Sequence, residues 1–285
     1  FYDCRIKGKF RIKGIKSTNP LAVGDKVSFT TEPKKEAKGI ITSIETRQNY
    51  IIRKSVNLSK QTHIIAANID QVFLMITLKN PQTFPAFIDR FLVTAQAYEI
   101  NVVLLFNKID IYNNLELRAM RDLKGVYHKI GYECHEVIAT DSKTLEIIYS
   151  KMKGKVSMFC GHSGVGKSTL VNAISPGLGL KTGIVSKQNQ QGQHTTTFAE
   201  MFDLGASRII DTPGIKGFGI VGIKPEELSG YFMEFAILKG GCKFNNCLHT
   251  SEPNCAIKGA IEQGKIAASR YKSYLQLLEE DSLYR

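Results

Sequence analysis

The chain has 285 residues, of which 38 are lysine or arginine and 26 are acidic, giving a formal net charge of +12. That length allows two or three domains around well-buried cores, and the positive excess points to a polyanionic partner. No apolar run reaches the roughly twenty residues of a membrane span. No secretory signal pattern is present, and six cysteines in a chain of this size do not make a secreted disulfide framework, so the expected compartment is the cytoplasm.

Residues 1–62 alternate short β-type runs with turns. The runs are Cys4–Phe10, Lys26–Thr30, Gly39–Ile44 and Tyr50–Arg53, punctuated by Asn19-Pro20, Gly24-Asp25 and Glu32-Pro33. Several short strands at this spacing predict a small barrel or sandwich, and an OB-fold fits the length best. Arg5, Lys7, Lys9, Arg11, Lys13 and Lys16 make its opening basic, with Phe1, Tyr2 and Phe10 interleaved. Such a surface suits nucleic-acid phosphates and base stacking. A solvated β module without that role is the alternative.

Over residues 63–219 the texture changes to alternating strand and helix. Gln71–Thr77 and Asn101–Phe106 read as buried strands, Val137–Ala139 as a shorter one and Ser207–Ile210 as another. Ala86–Ala97, Leu115–Ile130 and Thr144–Ser150 have helical spacing. This alternation predicts a mainly parallel sheet covered on both faces, with ligands at the carboxyl ends of its strands. The Gln-, Gly- and Thr-rich segment 181–197 reads as a mobile loop. Beyond residue 219 the rhythm stops: residues 220–285 contain a cysteine-bearing loop, Gly240–Pro253, and a helical stretch, Ala256–Leu278, with Lys265, Arg270 and Lys272 among apolar positions.

Three motifs in the middle segment carry chemistry. After the apolar run Val156–Cys160, residues Gly161, His162, Ser163, Gly164, Val165, Gly166, Lys167 and Ser168 spell G-x-x-x-x-G-K-S, and Thr169 opens a helix. Strand, glycine loop and helix in that order form a phosphate cradle, with backbone N–H groups and the helix dipole facing one anion. Lys167 reaches the β- and γ-phosphates and Ser168 offers a hydroxyl to Mg2+. The bland alternative is a turn that binds nothing. Asn107, Lys108 and Asp110 form N-K-x-D directly after a buried strand. An aspartate there accepts from guanine N1–H and N2–H2, which adenine does not offer as a pair; alone the motif is also ordinary turn chemistry. Ala139 and Thr140 stand where a small-residue turn closes over the base. Asp211-Thr212-Pro213-Gly214 also follows a strand; Asp211 can hold Mg2+ through water and the Gly214 N–H can sense a γ-phosphate, with an ordinary turn as the alternative. Within His194-Thr195-Thr196-Thr197 a threonine can supply a hydroxyl and carbonyl to Mg2+, with Thr196 the first choice and its neighbours as alternates.

Motif order matters. An ordinary GTPase runs from phosphate loop through threonine switch and D-x-x-G to N-K-x-D, whereas here N-K-x-D comes first and D-T-P-G last. The same sheet results if the old ends are joined and the chain is cut after the second switch. That circular permutation leads the second switch straight into the C-terminal segment. Ile215 follows Gly214 where many GTPases place a water-orienting glutamine, so slow hydrolysis by the isolated chain is expected. His194 is the best internal candidate for the missing group, with loop packing as the equal alternative. Finally, Cys242, Cys247, His249 and Cys255 give C-x4-C-x-H-x5-C, a set able to close a tetrahedral zinc site, although the spacing is not a zinc-finger pattern and scattered free cysteines are the alternative. Cys4, Cys134 and Cys160 read as small buried apolar residues.

With these motifs in this order, the chain resembles the RsgA family of circularly permuted small-ribosomal-subunit biogenesis GTPases. The resemblance also takes in Gly24-Asp25, Arg47-Gln48-Asn49, Arg53, Ala67–Gln71, Ala173–Pro176 and Glu252-Pro253. It implies an OB-fold whose first strand is missing here, a permuted GTPase domain and a zinc-bound helical domain. It further implies GTP hydrolysis, with Mg2+ accompanying GTP, coupled to late maturation of the small ribosomal subunit, rRNA as the main contact, and a monomer that does not engage membranes. Thr197 departs from the basic residue often found there. Two alternatives come from other classes: an RNA-binding assembly module in which GTP only gates a conformation, and a P-loop kinase or ATPase, against which Asp110 argues.

Overall fold

The computed structural model describes residues 1–6, 20–32, 37–54, 62–180, 199–211 and 223–283. At the N-terminal end, β1 (Asp3–Ile6), β2 (Val27–Thr31) and β3 (Lys38–Ile44) form a sheet in the order β1-β3-β2. β1 runs parallel to β3 and β2 antiparallel to it, a non-sequential pairing that a Greek-key barrel of OB type makes and a simple meander does not. An antiparallel ribbon of β4 (Tyr50–Lys54) and β5 (Thr62–Ala67) follows. The strand that begins at Thr62 therefore pairs backward with β4, across the point where the sequence turns to alternating strand and helix.

A set of short-range polar contacts joins this module to the α/β segment, and it uses the residues singled out around positions 24, 47–49 and 67–71. Asn49 pairs through both ends of its amide with the Ile69 backbone, at 2.8 Å each. Asn68 donates to the Gly24 carbonyl and accepts from Gln48 N–H, both at 2.9 Å. Arg47 and Asp25 make a bidentate, nearly buried pair at 2.6 and 2.7 Å. A side chain at Gly24 (φ 92°) has no room, because its Cβ would lie 2.0 Å from the Ala67 carbonyl oxygen. Asp70 then accepts from Val156 N–H at 2.7 Å, extending the seam to the root of the central sheet.

That sheet is built from β6 (Gln71–Ile76), β7 (Asn101–Asn107), β8 (Glu133–Val137), β9 (Val156–Cys160), β10 (Glu200–Asp203) and β11 (Arg208–Asp211) in the order β10-β11-β9-β6-β7-β8. All pairings are parallel except the β10–β11 hairpin at one edge. β6 is buried throughout, as its unbroken apolar run requires of a strand covered on both faces. Helices α1 (Pro85–Ala97) and α2 (Asn114–Lys129) enclose one core with Ile88, Phe91, Leu104, Phe106 and Met120. Helices α3 (Ser142–Met152) and α4 (Lys167–Ile174) cover the other, around Phe73, Phe159, Ile148 and Val171. The strand expected at Val137–Ala139 lies earlier, at Glu133–Val137: β8 is an edge strand whose alternating polar residues are placed by pairing to β7.

The C-terminal segment is helical: α5 (Pro225–Leu228), α6 (Met233–Leu238), α7 (Ala256–Glu262) and α8 (Ala268–Leu283). The single helix expected over Ala256–Leu278 is two, because Gly264 takes a left-handed conformation (φ 67°) that ends the first. Phe232, Phe235, Ile257, Tyr274 and Leu277 share a third core into which α1 inserts Val93, so α8 packs along α1. Among the described residues no helix is long and apolar enough to cross a membrane.

Candidate functional site

Three loops at the carboxyl ends of β9, β7 and β8 meet. The first is Gly161–Gly166, between β9 and α4. Gly161, Gly164 and Gly166 have φ of 151°, 87° and 97°, a backbone that curls its N–H groups inward. Gly166 has a second reason to lack a side chain: a Cβ there would stand 2.5 Å from the Asn107 amide nitrogen. Val165 is fully buried in the sheet core and anchors the loop, while His162, Ser163, Ser168 and Thr169 are half-buried along it.

The second loop follows β7. Buried Asn107 donates through Nδ2 to the Val165 carbonyl at 2.7 Å. Lys108, with φ 65°, donates through Nζ to the Gly164 carbonyl at 2.6 Å and to that of Asn80. Burial holds its ammonium below the ordinary lysine range, partly offset by the Asp110 charge. Asp110 itself is exposed on a single 3-10 turn, Ile109–Ile111. Tyr112, which sequence reading overlooked, braces this loop: its hydroxyl donates to the Asn107 carbonyl and accepts from Leu78 N–H, both at 2.8 Å. The third loop is the turn after β8. Ala139 is buried and Thr140 exposed, and Thr144 holds the turn by accepting from Ile138 N–H at 3.1 Å.

At the foot of the phosphate-type loop, Lys167 Nζ lies 3.0 Å from Asp211 Oδ1, with both side chains almost wholly buried. Lys167, Ser168 and Asp211 are thus brought together at the ends of two adjacent parallel strands. His194, Thr195, Thr196, Thr197, Gly214 and Ile215 lie outside the described residues.

A separate cluster occupies the C-terminal segment. The ligand atoms of Cys242, Cys247, His249 and Cys255 all lie within 4.8 Å of one another. Cys242 Sγ is 3.6 Å from His249 Nδ1 and 4.0 Å from Cys255 Sγ, and Nδ1 is 3.4 Å from Cys255 Sγ. A tetrahedron of sulfur ligands at about 2.3 Å from a zinc ion has edges near ~3.8 Å, so the set fits that ion. Burial, with the adjoining sulfurs, pushes the Cys247 thiol up to about 11, since thiolates crowded in this space need a cation. Burial also keeps His249 below its ordinary value and hence neutral, the form that binds metals. Glu252 supports the loop by accepting from Leu248 N–H and Thr250 N–H at 2.7 and 2.8 Å. Tyr271 and Tyr274 of α8 donate to the His249 and Leu248 carbonyls at 2.7 and 2.9 Å. Of the other cysteines Cys160 is buried as expected, while Cys4 and Cys134 are only partly so.

Comparison with known proteins agrees with this geometry. Residues 44–221 match the family model described as RsgA GTPase, and residues 1–41 the RsgA N-terminal domain. A protein of Christiangramia forsetii described as small ribosomal subunit biogenesis GTPase RsgA is 62% identical over 288 aligned residues, covering 100% of this chain and 91% of its own. The Flavobacterium johnsoniae protein of the same description is 61% identical, covering 99% and 87%. Among solved structures, YjeQ from Thermotoga maritima is 36% identical with a TM-score of 0.76, covering 97% of this chain and 88% of that one. YloQ, described as a circularly permuted GTPase, is 29% identical with a TM-score of 0.74, covering 100% and 87%.

Proposed function

The chain belongs to the RsgA GTPase family, and on that premise we propose that it binds the small ribosomal subunit through rRNA and couples GTP hydrolysis to late subunit maturation and its own release. The observation that carries the reading is the tether from Asn107 and Lys108 to the carbonyls of Val165 and Gly164. It holds a base-reading loop and a phosphate loop at a fixed separation, as one nucleoside triphosphate requires. Asp110 then accepts from guanine, the Lys108 stem lies over the base, and Ala139 and Thr140 close its far edge. Gly161 to Thr169, with His162, Ser163, Gly164, Val165 and Gly166 between, wrap the phosphates. Lys167 draws charge from the β- and γ-phosphates as hydrolysis proceeds.

Ser168, Thr196 and Asp211 offer the hard oxygen donors that would hold Mg2+, which neutralises phosphate charge when bound. The Gly214 N–H senses the γ-phosphate and His194 orients the attacking water. Cys242, Cys247, His249 and Cys255 would hold one structural zinc ion. The working compartment is the cytoplasm, and the protein acts as a monomer with residues 1–62, 63–219 and 220–285 as its three domains.

The test is co-sedimentation with purified small subunits in GDP and in a non-hydrolysable GTP analogue. Retention with the analogue and release with GDP is the expected result. Equal sedimentation in both nucleotides overturns the release mechanism.

A further inference from the structure

Helix α1 touches both the phosphate loop and the zinc-side helices within its first turns. Phe87, in the first turn, lays its ring on the His162 imidazole with centroids 3.9 Å apart. Two residues on, Asp89 is fully buried and accepts at Oδ1 from Arg270 Nη1 of α8 at 2.7 Å and from the Tyr127 hydroxyl of α2 at 2.8 Å. Arg270, itself 1% exposed, turns its remaining edge to Glu234 of α6 in a bidentate pair at 2.7 and 3.0 Å.

Burying three charges costs desolvation that apolar residues would not incur, so packing alone does not account for the cluster. What it supplies is direction. A planar guanidinium bonded bidentately to Glu234 and through Nη1 to one oxygen of Asp89 fixes α8 against α1 at one register, where an apolar contact tolerates sliding. Because Phe87 shares a rigid helical turn with Asp89, that register also sets where Phe87 stands over His162.

We propose that Arg270 is a positioning residue for GTP hydrolysis, acting through Asp89 and Phe87 on His162 and the phosphate loop. The imidazole held by Phe87 fixes the loop just past Gly161, where backbone N–H groups face the phosphates. A looser first turn of α1 therefore loosens the cradle without touching its own residues. The inference concerns intrinsic hydrolysis and holds whether or not ribosomal subunits stimulate it.

The experiment is single-turnover GTP hydrolysis by the full zinc-loaded chain, comparing wild type, Arg270→Lys, Phe87→Leu and the double variant, with melting temperatures in parallel. Each single variant is expected to lower the rate roughly two- to thirty-fold. The double variant is expected to be no slower than the slower single one, because both interrupt one path. Tyr127→Phe, which removes only a hydroxyl from Asp89, replaces Arg270→Lys if that protein does not fold. Losses that multiply in the double variant overturn the inference, as does a lowered melting temperature with an unchanged rate. Hydrolysis by wild type in the same assay separates this outcome from a failure of the GTPase reading itself.

Discussion

Asp110 differs from its two motif partners in having no structural duty. Asn107 and Lys108 are tied to the phosphate loop by hydrogen bonds, whereas the exposed Asp110 carboxylate acts on Lys108 only through its charge. Replacing it should therefore leave the fold intact and remove only base recognition. Asp110→Asn presents a donor where guanine also presents donors. It is expected to weaken GTP binding by about 2–4 kcal/mol with an unchanged melting temperature, read by calorimetry. Equal GTP affinity in the two proteins would sink the assignment. The motif residues were legible in the sequence because their chemistry is local: a glycine loop between strand and helix, or an aspartate three residues past a strand end. Tyr112, Asp89 and Arg270 were not. Each matters through a partner far along the chain, and Arg270 meets Asp89 across 181 positions. The one available signal was a charged residue recurring on an apolar helical face, and that pattern does not name the partner.

Among the elements, α8 carries an unusual range of duties. Arg270 meets α1 and α6, while Tyr271 and Tyr274 hold two backbone carbonyls of the cysteine loop. A metal that orders the loop thus also orders the helix. Metal analysis is expected to find about one zinc per chain, and Cys247→Ser or chelation is expected to lower the melting temperature of the C-terminal helices. Purified protein free of metal, or an unmoved transition in Cys247→Ser, would refute the site. Two elements were misread for physical reasons. β8 sits at a sheet edge, where pairing to β7 and not an apolar run decides the strand. The split between α7 and α8 lies at Gly264, a residue visible in the sequence whose left-handed turn was outweighed by the helical spacing around it. The strand read at Ser207–Ile210 is β11, whereas its hairpin partner β10 and helices α5 and α6 were missed because each is only four to six residues long.

For the whole molecule, the strand order β10-β11-β9-β6-β7-β8 joins the phosphate half to the base-reading half at the β9–β6 pair, although β6 precedes β9 in the chain. That is the permuted sheet required by the motif order, and it leads from Asp211 toward the helices that dock on α1. Ile215 beside Gly214 is apolar and cannot itself hold the attacking water, so single-turnover hydrolysis by the protein alone is expected to be slow. Small subunits are expected to accelerate wild type and to give His194→Ala much less acceleration. Acceleration of both proteins to the same extent removes His194 from the mechanism, and acceleration of neither removes the subunit from it.

The pairing of β6 with β9 has a consequence for how the protein is made. Synthesis delivers the chain from its N-terminus, and a segment folds when its partners have emerged. Residues 71–137 hold β6, β7 and β8, three parallel neighbours that can assemble while the rest is still being translated. The phosphate loop and its aspartate arrive only later, and until then Asn107 and Lys108 lack the Val165 and Gly164 carbonyls that hold the base-reading loop. Asp89 meanwhile sits in a helix already packed on that early sheet, and its counter-charge comes from Arg270, near the end of the chain. Until α8 closes over α1, that carboxylate therefore has the Tyr127 hydroxyl of α2 as a partner but lacks its counter-charge.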